Sequence, residues 1–210
     1  MGSYRAQGVK VLGLTGTIAS GKSTVSRWFR RWGAEVVEAD RIGHVLLRSG
    51  SPAYGKLIRA FGKDILKRNG QISRKRLGQK VFADPKARRR LNRIVHPLLL
   101  RALRVRIQRA RRKGDRILVV VAALIPEWKI GSWFDGVIAV TAPREKRIQR
   151  LVDSGFTKKE AGQRLASQLP EREKCREADV IILNRGSLSA LRKRAGTVWN
   201  QLREDSCFRN

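Results

Sequence analysis

The sequence predicts an α/β fold built on a doubly wound, five-stranded parallel sheet in three layers, and three observations carry that expectation. Five short apolar runs recur along the chain, of the continuous kind that suits strands covered on both faces. Helical patterns separate each run from the next. A glycine-rich string, Gly16-Thr17-Ile18-Ala19-Ser20-Gly21-Lys22-Ser23, joins the first run to the first helix.

The first strand is expected over Val9–Leu14 and the first helix over Thr24–Trp32, where Val25, Trp28, Phe29 and Trp32 share one face. Glu35–Glu38 reads as a short second strand. From about residue 41 to 115 the pattern is helical and broken by turn signals at Ser49-Gly50-Ser51-Pro52, Asn69-Gly70 and Asp84-Pro85. That insertion is long enough to form a helical lobe over the carboxyl edge of the sheet, where ligands bind in such folds. The third strand is expected over Arg116–Ala123, inside the apolar run Ile117–Ile125, and the fourth over Gly136–Thr141. Residues 144–174 are polar and cationic, with breakpoints at Gly155 and Pro170, as in a helical lid. Asp179–Leu183 is the fifth strand. The expected organisation is therefore one domain: a core of about 8–40, 116–143 and 175–203, an insertion of about 41–115 and a lid of about 144–174.

At 210 residues and 41% apolar content the chain can bury a full core. No apolar stretch approaches the roughly 20 residues of a membrane span. With two cysteines, Cys175 and Cys207, at no metal-ligand spacing, and no secretory signal, the expected location is the cytoplasm. Lys and Arg number 47 against 17 acidic residues, a formal net charge of +30. Two readings of that surplus stay open. One is nonspecific affinity for nucleic acid or ribosomes through counterion release. The other is a set of solvated helix flanks, which the patterns around Lys86–Arg93 and Arg101–Lys113 favour, because their opposite face is Leu, Ile and Val. The sequence carries no signal of oligomeric state.

The string at 16–23 satisfies Gly-x-x-x-x-Gly-Lys-Ser/Thr, the phosphate-holding loop of P-loop nucleotide-binding proteins. Its glycines let backbone N–H groups turn inward onto phosphate, Lys22 reaches the β and γ phosphates, and the Ser23 hydroxyl is placed for Mg²⁺. The following helix adds the positive end of its dipole. Asp40, just after the second strand, is either the acceptor of a hydroxyl proton in phosphoryl transfer or a helix N-cap. His96-Pro97 is either a ligand contact or a structural histidine before a helix start. Arg150 and Arg164, with Gln168 one turn beyond, either contact a transferring phosphoryl group or form an exposed face. The third strand does not end in the Asp that often supports the metal. Either Glu127 or Asp40 then orders the metal's waters, or Ser23 and the phosphates hold it. That absence, with the lack of an Asn-Lys-x-Asp string, argues against a motor or GTPase and for a small-molecule kinase.

Taken in order, the motifs resemble the dephospho-coenzyme A kinase family over nearly the whole chain. Gly13 to Thr24 is close to the family's Leu-Thr-Gly-Gly-Ile-x-Ser-Gly-Lys-Ser-Thr, and Val37-Glu38-Ala39-Asp40 to its Ile-Asp-Ala-Asp. Phe61-Gly62, Asn69 to Arg74, Leu77, Val81-Phe82 and His96-Pro97 follow, then Arg164-Leu165, Gln168, Lys174, Ala178-Asp179 and Asn184-Arg185-Gly186. The resemblance implies Mg²⁺-dependent transfer of a phosphoryl group from ATP to the ribose 3′-hydroxyl of dephospho-coenzyme A, giving coenzyme A. It implies Asp40 as the base, and Thr15, Lys22 and Arg150 along the phosphoryl path. Gly16, Ala19, Ser20, Gly21, Ser23 and Thr24 bind ATP beside Lys22 and Arg150, with Asn184 on the adenine side. Arg74 and His96 belong to the acceptor pocket, whose loop keeps Glu127. There are departures: Ala123-Leu124-Ile125-Pro126-Glu127 replaces the usual Pro-Leu-Leu-Phe-Glu, Glu38 replaces Asp, Arg147 a Gln, and Ser154 a second lid Arg. Two rival readings are a P-loop kinase of another small hydroxyl acceptor and a basic RNA- or ribosome-binding protein switched by nucleotide.

Overall fold

The computed structural model describes residues 10–113 and 117–204. Val9, Asp115, Arg116 and Cys207, which bear on the expectations above, lie outside the described residues. The chain divides into two compact units, Met1–Val37 with Ile107–Asn210, and Glu38–Arg106.

The first unit is organised by a five-stranded sheet of order β2-β3-β1-β4-β5, with β1 Val11–Thr15, β2 Glu35–Glu38, β3 Leu118–Val121, β4 Gly136–Thr141 and β5 Val180–Leu183. The β1–β3, β1–β4 and β4–β5 pairs are parallel. Every residue of β1, β3 and β4 is buried, whereas the flanking strands β2 and β5 are partly exposed. This is why the three central strands read as unbroken apolar runs. β1 lies between β3 and β4, so the chain winds to one side through β2 and β3 and to the other through β4 and β5. The loop after β1 therefore leaves the sheet where the winding reverses, the place such sheets use for ligands.

Helix α1, Lys22–Arg31, and helix α9, Leu188–Arg203, cover the Leu12 and Leu14 side of β1. The expected face of α1 is the one used: Val25, Trp28 and Phe29 are buried and Trp32 packs against them. Phe29, Trp32 and Trp199 form a tilted aromatic cluster with ring centroids 5.5–6.2 Å apart. On the other face of β1, a Cβ at Gly13 would come within 2.9 Å of Ile125 and 3.0 Å of Phe134, so a side chain there would open the layer. The apolar run Ile117–Ile125 is strand only over Leu118–Val121. Beyond the edge, Ala122 and Ile125 stay buried in a turn, so apolar character persists after ladder pairing has ended.

The second unit is helical. It contains α2 Ala39–Leu46, α3 Tyr54–Phe61, a 3₁₀ turn at Lys63–Ile65, α4 Arg74–Ala83 and most of α5 Pro85–Lys113. Leu57, Ile65, Leu77, Val81, Leu99 and Leu103 form its buried side chains, each at most 5% exposed. The Asn69-Gly70 turn holds Gly70 at φ 76°, and the Tyr54 hydroxyl donates to the Gly70 carbonyl at 2.5 Å. Asp84 caps α5 by accepting from the Lys86 and Ala87 N–H groups at 2.7 and 3.1 Å. The two cationic clusters turn out to be one 29-residue helix, and Pro97 lies inside it, not at a start. An interior proline removes one helical hydrogen bond and costs about 3 kcal/mol. Burial of Leu99, Leu103, Ile107 and Ala110 along one stripe keeps α5 continuous through it.

Among the described residues, no helix is long and apolar enough to cross a membrane.

Candidate active site

The loop from β1 to α1 is shaped by three residues in left-handed conformations, Gly16 (φ 136°), Ala19 (φ 60°) and Gly21 (φ 108°). Such turns aim successive N–H groups into a common concavity, a nest for anions. Space as well as torsion dictates glycine here. A Cβ on Gly16 would meet the Val140 carbonyl of β4 at 2.2 Å, and one on Gly21 would meet Asn184 Nδ2 at 2.5 Å. Gly16→Ala is expected to destabilise the fold by about 2–4 kcal/mol, from torsional strain plus overpacking against backbone. Urea unfolding together with the KM for ATP measures it, and an unchanged midpoint would refute the steric argument.

Ala19 bears the same torsion with a side chain, and its carbonyl is held by Arg150 Nη1 at 2.9 Å. The Ser20 carbonyl accepts from Asn184 Nδ2 at 2.8 Å, and Asn184 is buried at the end of β5. Lys22 folds back over the loop, its Nζ donating to the Gly16 and Thr17 carbonyls at 2.9 and 2.8 Å. The first turn of α1 contains no acidic residue, so nothing opposes its positive dipole end. Thr15 is buried at the end of β1, where its hydroxyl donates to the Ala123 carbonyl at 3.4 Å. A cavity of about 450 Å³, within the range of small-molecule sites, is lined by Ala19, Gly21, Ser23, Thr24, Arg150 and Asn184 among others. Ser154, one of the departures from the family pattern, also lines it.

The segment expected as a lid forms α6 Arg144–Asp153, α7 Lys158–Ala166 and α8 Glu171–Arg176, with Gly155 (φ 90°) and Pro170 at the breaks. Helices α6 and α8 and the connector before α8 contact three consecutive loop residues. Glu171 Oε2 accepts from the Thr17 hydroxyl at 3.4 Å, Gln168 Oε1 accepts from the Ile18 N–H at 2.8 Å, and Arg150 holds Ala19. Arg147, 9% exposed, places its Nη2 3.6 Å from the same Glu171 oxygen. Arg164 lies elsewhere, its guanidinium 4.1 Å from the centre of the Phe156 ring. Glu127 Oε1 accepts from Lys174 Nζ at 2.5 Å and from the Leu169 N–H at 3.1 Å. Lys174 is completely buried and also donates to Ala123; burial holds its pKa below the ordinary value against the opposing pull of Glu127. Glu127 thus ties α8 to the loop after β3.

In the second unit, Asp40 is exposed in the first turn of α2, with Glu38 as the N-cap position in its place. Arg74 begins α4, and its Nη1 lies 3.0 and 2.8 Å from the two ring nitrogens of His44 on α2. His96 is half-buried on α5, and burial lowers its pKa. Sequence reasoning passed over His44, although its spacing of four from Asp40 on a helix was a usable signal. It also passed over Thr17, Ile18 and Glu171 as lid contacts. Pairs 150 or more positions apart leave no local trace.

Among the described residues no group of three or more His, Cys, Asp or Glu could hold a metal by itself. Ser23, the second residue of α1, offers a hydroxyl on the cavity wall. A hydroxyl joined by phosphate and water oxygens is a hard-oxygen set of the kind Mg²⁺ takes.

Residues 10–190 match the family described as CoaE, dephospho-CoA kinase. The dephospho-CoA kinase of Geobacter sulfurreducens is 40% identical over 91% of this chain and 98% of its own length. A crystal structure of the Thermus thermophilus protein TT1252 superposes with a TM-score of 0.74 at 30% identity, over 93% of this chain and 99% of that one. The dephospho-CoA kinase structure from Campylobacter jejuni gives 0.66 at 26% identity, over 93% and 98%.

Proposed function

We propose, from the premise that the chain belongs to the dephospho-CoA kinase family, a division of one reaction between its two units. The reaction is the phosphorylation of dephospho-coenzyme A to coenzyme A, with ATP as donor and the ribose 3′-hydroxyl as acceptor. The observation that carries the donor half is the left-handed loop opening on the cavity that Gly21, Ser23, Thr24, Arg150 and Asn184 line. There the loop N–H groups cradle phosphate, Asn184 faces the adenine side, and Lys22 and Arg150 neutralise charge on the transferring group with Thr15 beside them. Arg164 and Gln168 belong to the lid that shields this half from water. The acceptor half belongs to Asp40, Arg74 and His96. Asp40 takes the proton of the attacking hydroxyl, and Arg74 pairs with acceptor phosphate. Glu127 shapes the acceptor loop through its hold on Lys174 and Leu169. Ser23 would hold Mg²⁺, which supplies charge neutralisation between phosphates when bound.

A single assay tests the reading. Purified protein with ATP, Mg²⁺ and a panel of hydroxyl acceptors is followed by chromatography for product and by ADP release. Coenzyme A is expected from dephospho-coenzyme A, with every other acceptor turned over at least about 10²-fold less efficiently. Chelation by EDTA is expected to abolish turnover without moving the unfolding midpoint, because the described residues form no cluster of three or more His, Cys, Asp or Glu that would hold a structural metal. Preference for another acceptor would overturn the assignment, and a chelator-induced loss of stability would overturn the metal reading. Neither rival is favoured: the family match covers residues 10–190, and that includes the acceptor unit as well as the loop.

A further inference from the structure

Asp40 and His44 lie four residues apart on α2, so their side chains rise from one face of the helix. Arg74 reaches that face from α4, whose start is pinned by its neighbours. The Ser73 hydroxyl caps the helix by accepting from the Arg76 N–H at 3.4 Å, and the Ser73 N–H donates to the Ile65 carbonyl at 2.8 Å. The guanidinium therefore arrives from a fixed backbone and ends against the His44 ring, at 2.8 Å from one nitrogen and 3.0 Å from the other. The charged groups facing the imidazole are Asp40 on its own helix and Arg74 on α4.

Only one protonation state of His44 suits this arrangement. Nη1 is almost equidistant from the two ring nitrogens, so the guanidinium lies over the ring and not along one lone pair; a neutral imidazole accommodates a cation there, whereas an imidazolium repels it. Protonation would set two cations against each other and turn the ring toward Asp40.

We propose that His44 is a positioning residue for the acceptor: its neutral ring holds the Arg74 guanidinium one helical turn from Asp40, oriented for acceptor phosphate. The inference rests on the assignment of Asp40 and Arg74 to the acceptor half. Burial and the Arg74 charge lower the His44 pKa below its ordinary 6.5, against a smaller opposing pull from Asp40, so the ring is neutral at pH 7. Acceptor affinity is then retained at neutral pH and lost as pH falls below the ordinary imidazole range.

The test is steady-state kinetics of H44A, H44Q and R74A from pH 5 to 8.5. H44A is expected to raise the KM for dephospho-coenzyme A about tenfold while kcat and the KM for ATP stay within about twofold, the size of one lost contact between a cation and a ring. H44Q keeps an acceptor oxygen that cannot titrate. It is expected to restore most of the affinity at pH 7 and to flatten the acid limb of kcat/KM, a limb that persists if His96 is its source. An unchanged KM in H44A, or H44Q as impaired as H44A with its acid limb intact, overturns the role of His44. An unchanged acceptor KM in R74A would instead overturn the underlying assignment of Arg74, so the two failures are told apart.

Discussion

Asp40→Ala is expected to lower kcat by about 10³-fold while the KM for ATP stays within about twofold, the usual weight of a positioned general base. The reasoning separates the two halves of the reaction. The nucleotide cavity is lined, among the described residues, by the unit Met1–Val37 with Ile107–Asn210, so removing a carboxylate from α2 leaves that wall intact. Asp40 is exposed in the first turn of its helix, where a negative charge is worth only about 0.3–1 kcal/mol against the dipole. The fold therefore survives the substitution, and the kinetic loss is not a stability effect. Asp40→Asn sharpens the test. It keeps the shape and loses the ability to accept a proton, so it is expected to fall nearly as far as alanine. Activity above a tenth of wild type in the Asn variant would show that Asp40 orients the hydroxyl without taking its proton. The fall in kcat distinguishes these variants from those at His44, which raise the acceptor KM and spare kcat.

How far the sequence foretold this architecture depends on whether a feature is local. The five strands were legible because β1, β3 and β4 are buried on both faces and so show as apolar runs, and because the glycine string marks the end of the first. Its φ values follow from the same logic, since Gly16 and Gly21 occupy places where a Cβ would strike Val140 or Asn184. Asp40 was legible through its place after β2. Pro97 misled in its structural reading because a proline penalty is local whereas the burial that outweighs it runs along the stripe Leu99, Leu103, Ile107 and Ala110. The lid's grip on Thr17, Ile18 and Ala19 was out of reach, since each contact joins residues more than 130 positions apart. His44 lies between these cases. Its spacing from Asp40 was on the page, but its meaning came from Arg74, which is thirty positions away on another helix.

Lys22→Met is expected to reduce kcat/KM by about 10²–10³-fold, the range for removing one preorganised donor from a developing oxyanion. It should also weaken ATP binding, which Asp40→Ala does not. Lys22 has a second task, because its ammonium bridges the Gly16 and Thr17 carbonyls at 2.9 and 2.8 Å. Those two bonds are worth about 0.5–1.5 kcal/mol each net of water, so the variant should unfold at slightly lower urea. That loss is too small to empty the folded state and cannot account for the kinetic effect. Lys22→Arg is not expected to rescue this. A planar fork cannot replace a compact ammonium between two carbonyls that approach it from neighbouring residues, and arginine is expected to perform no better than methionine. Isothermal titration with ATP, urea unfolding and kcat/KM on the same preparations decide the matter. Arginine at near wild-type rates, or an activity loss that merely tracks the unfolded fraction, would remove Lys22 from the phosphoryl path and leave it a brace of the loop.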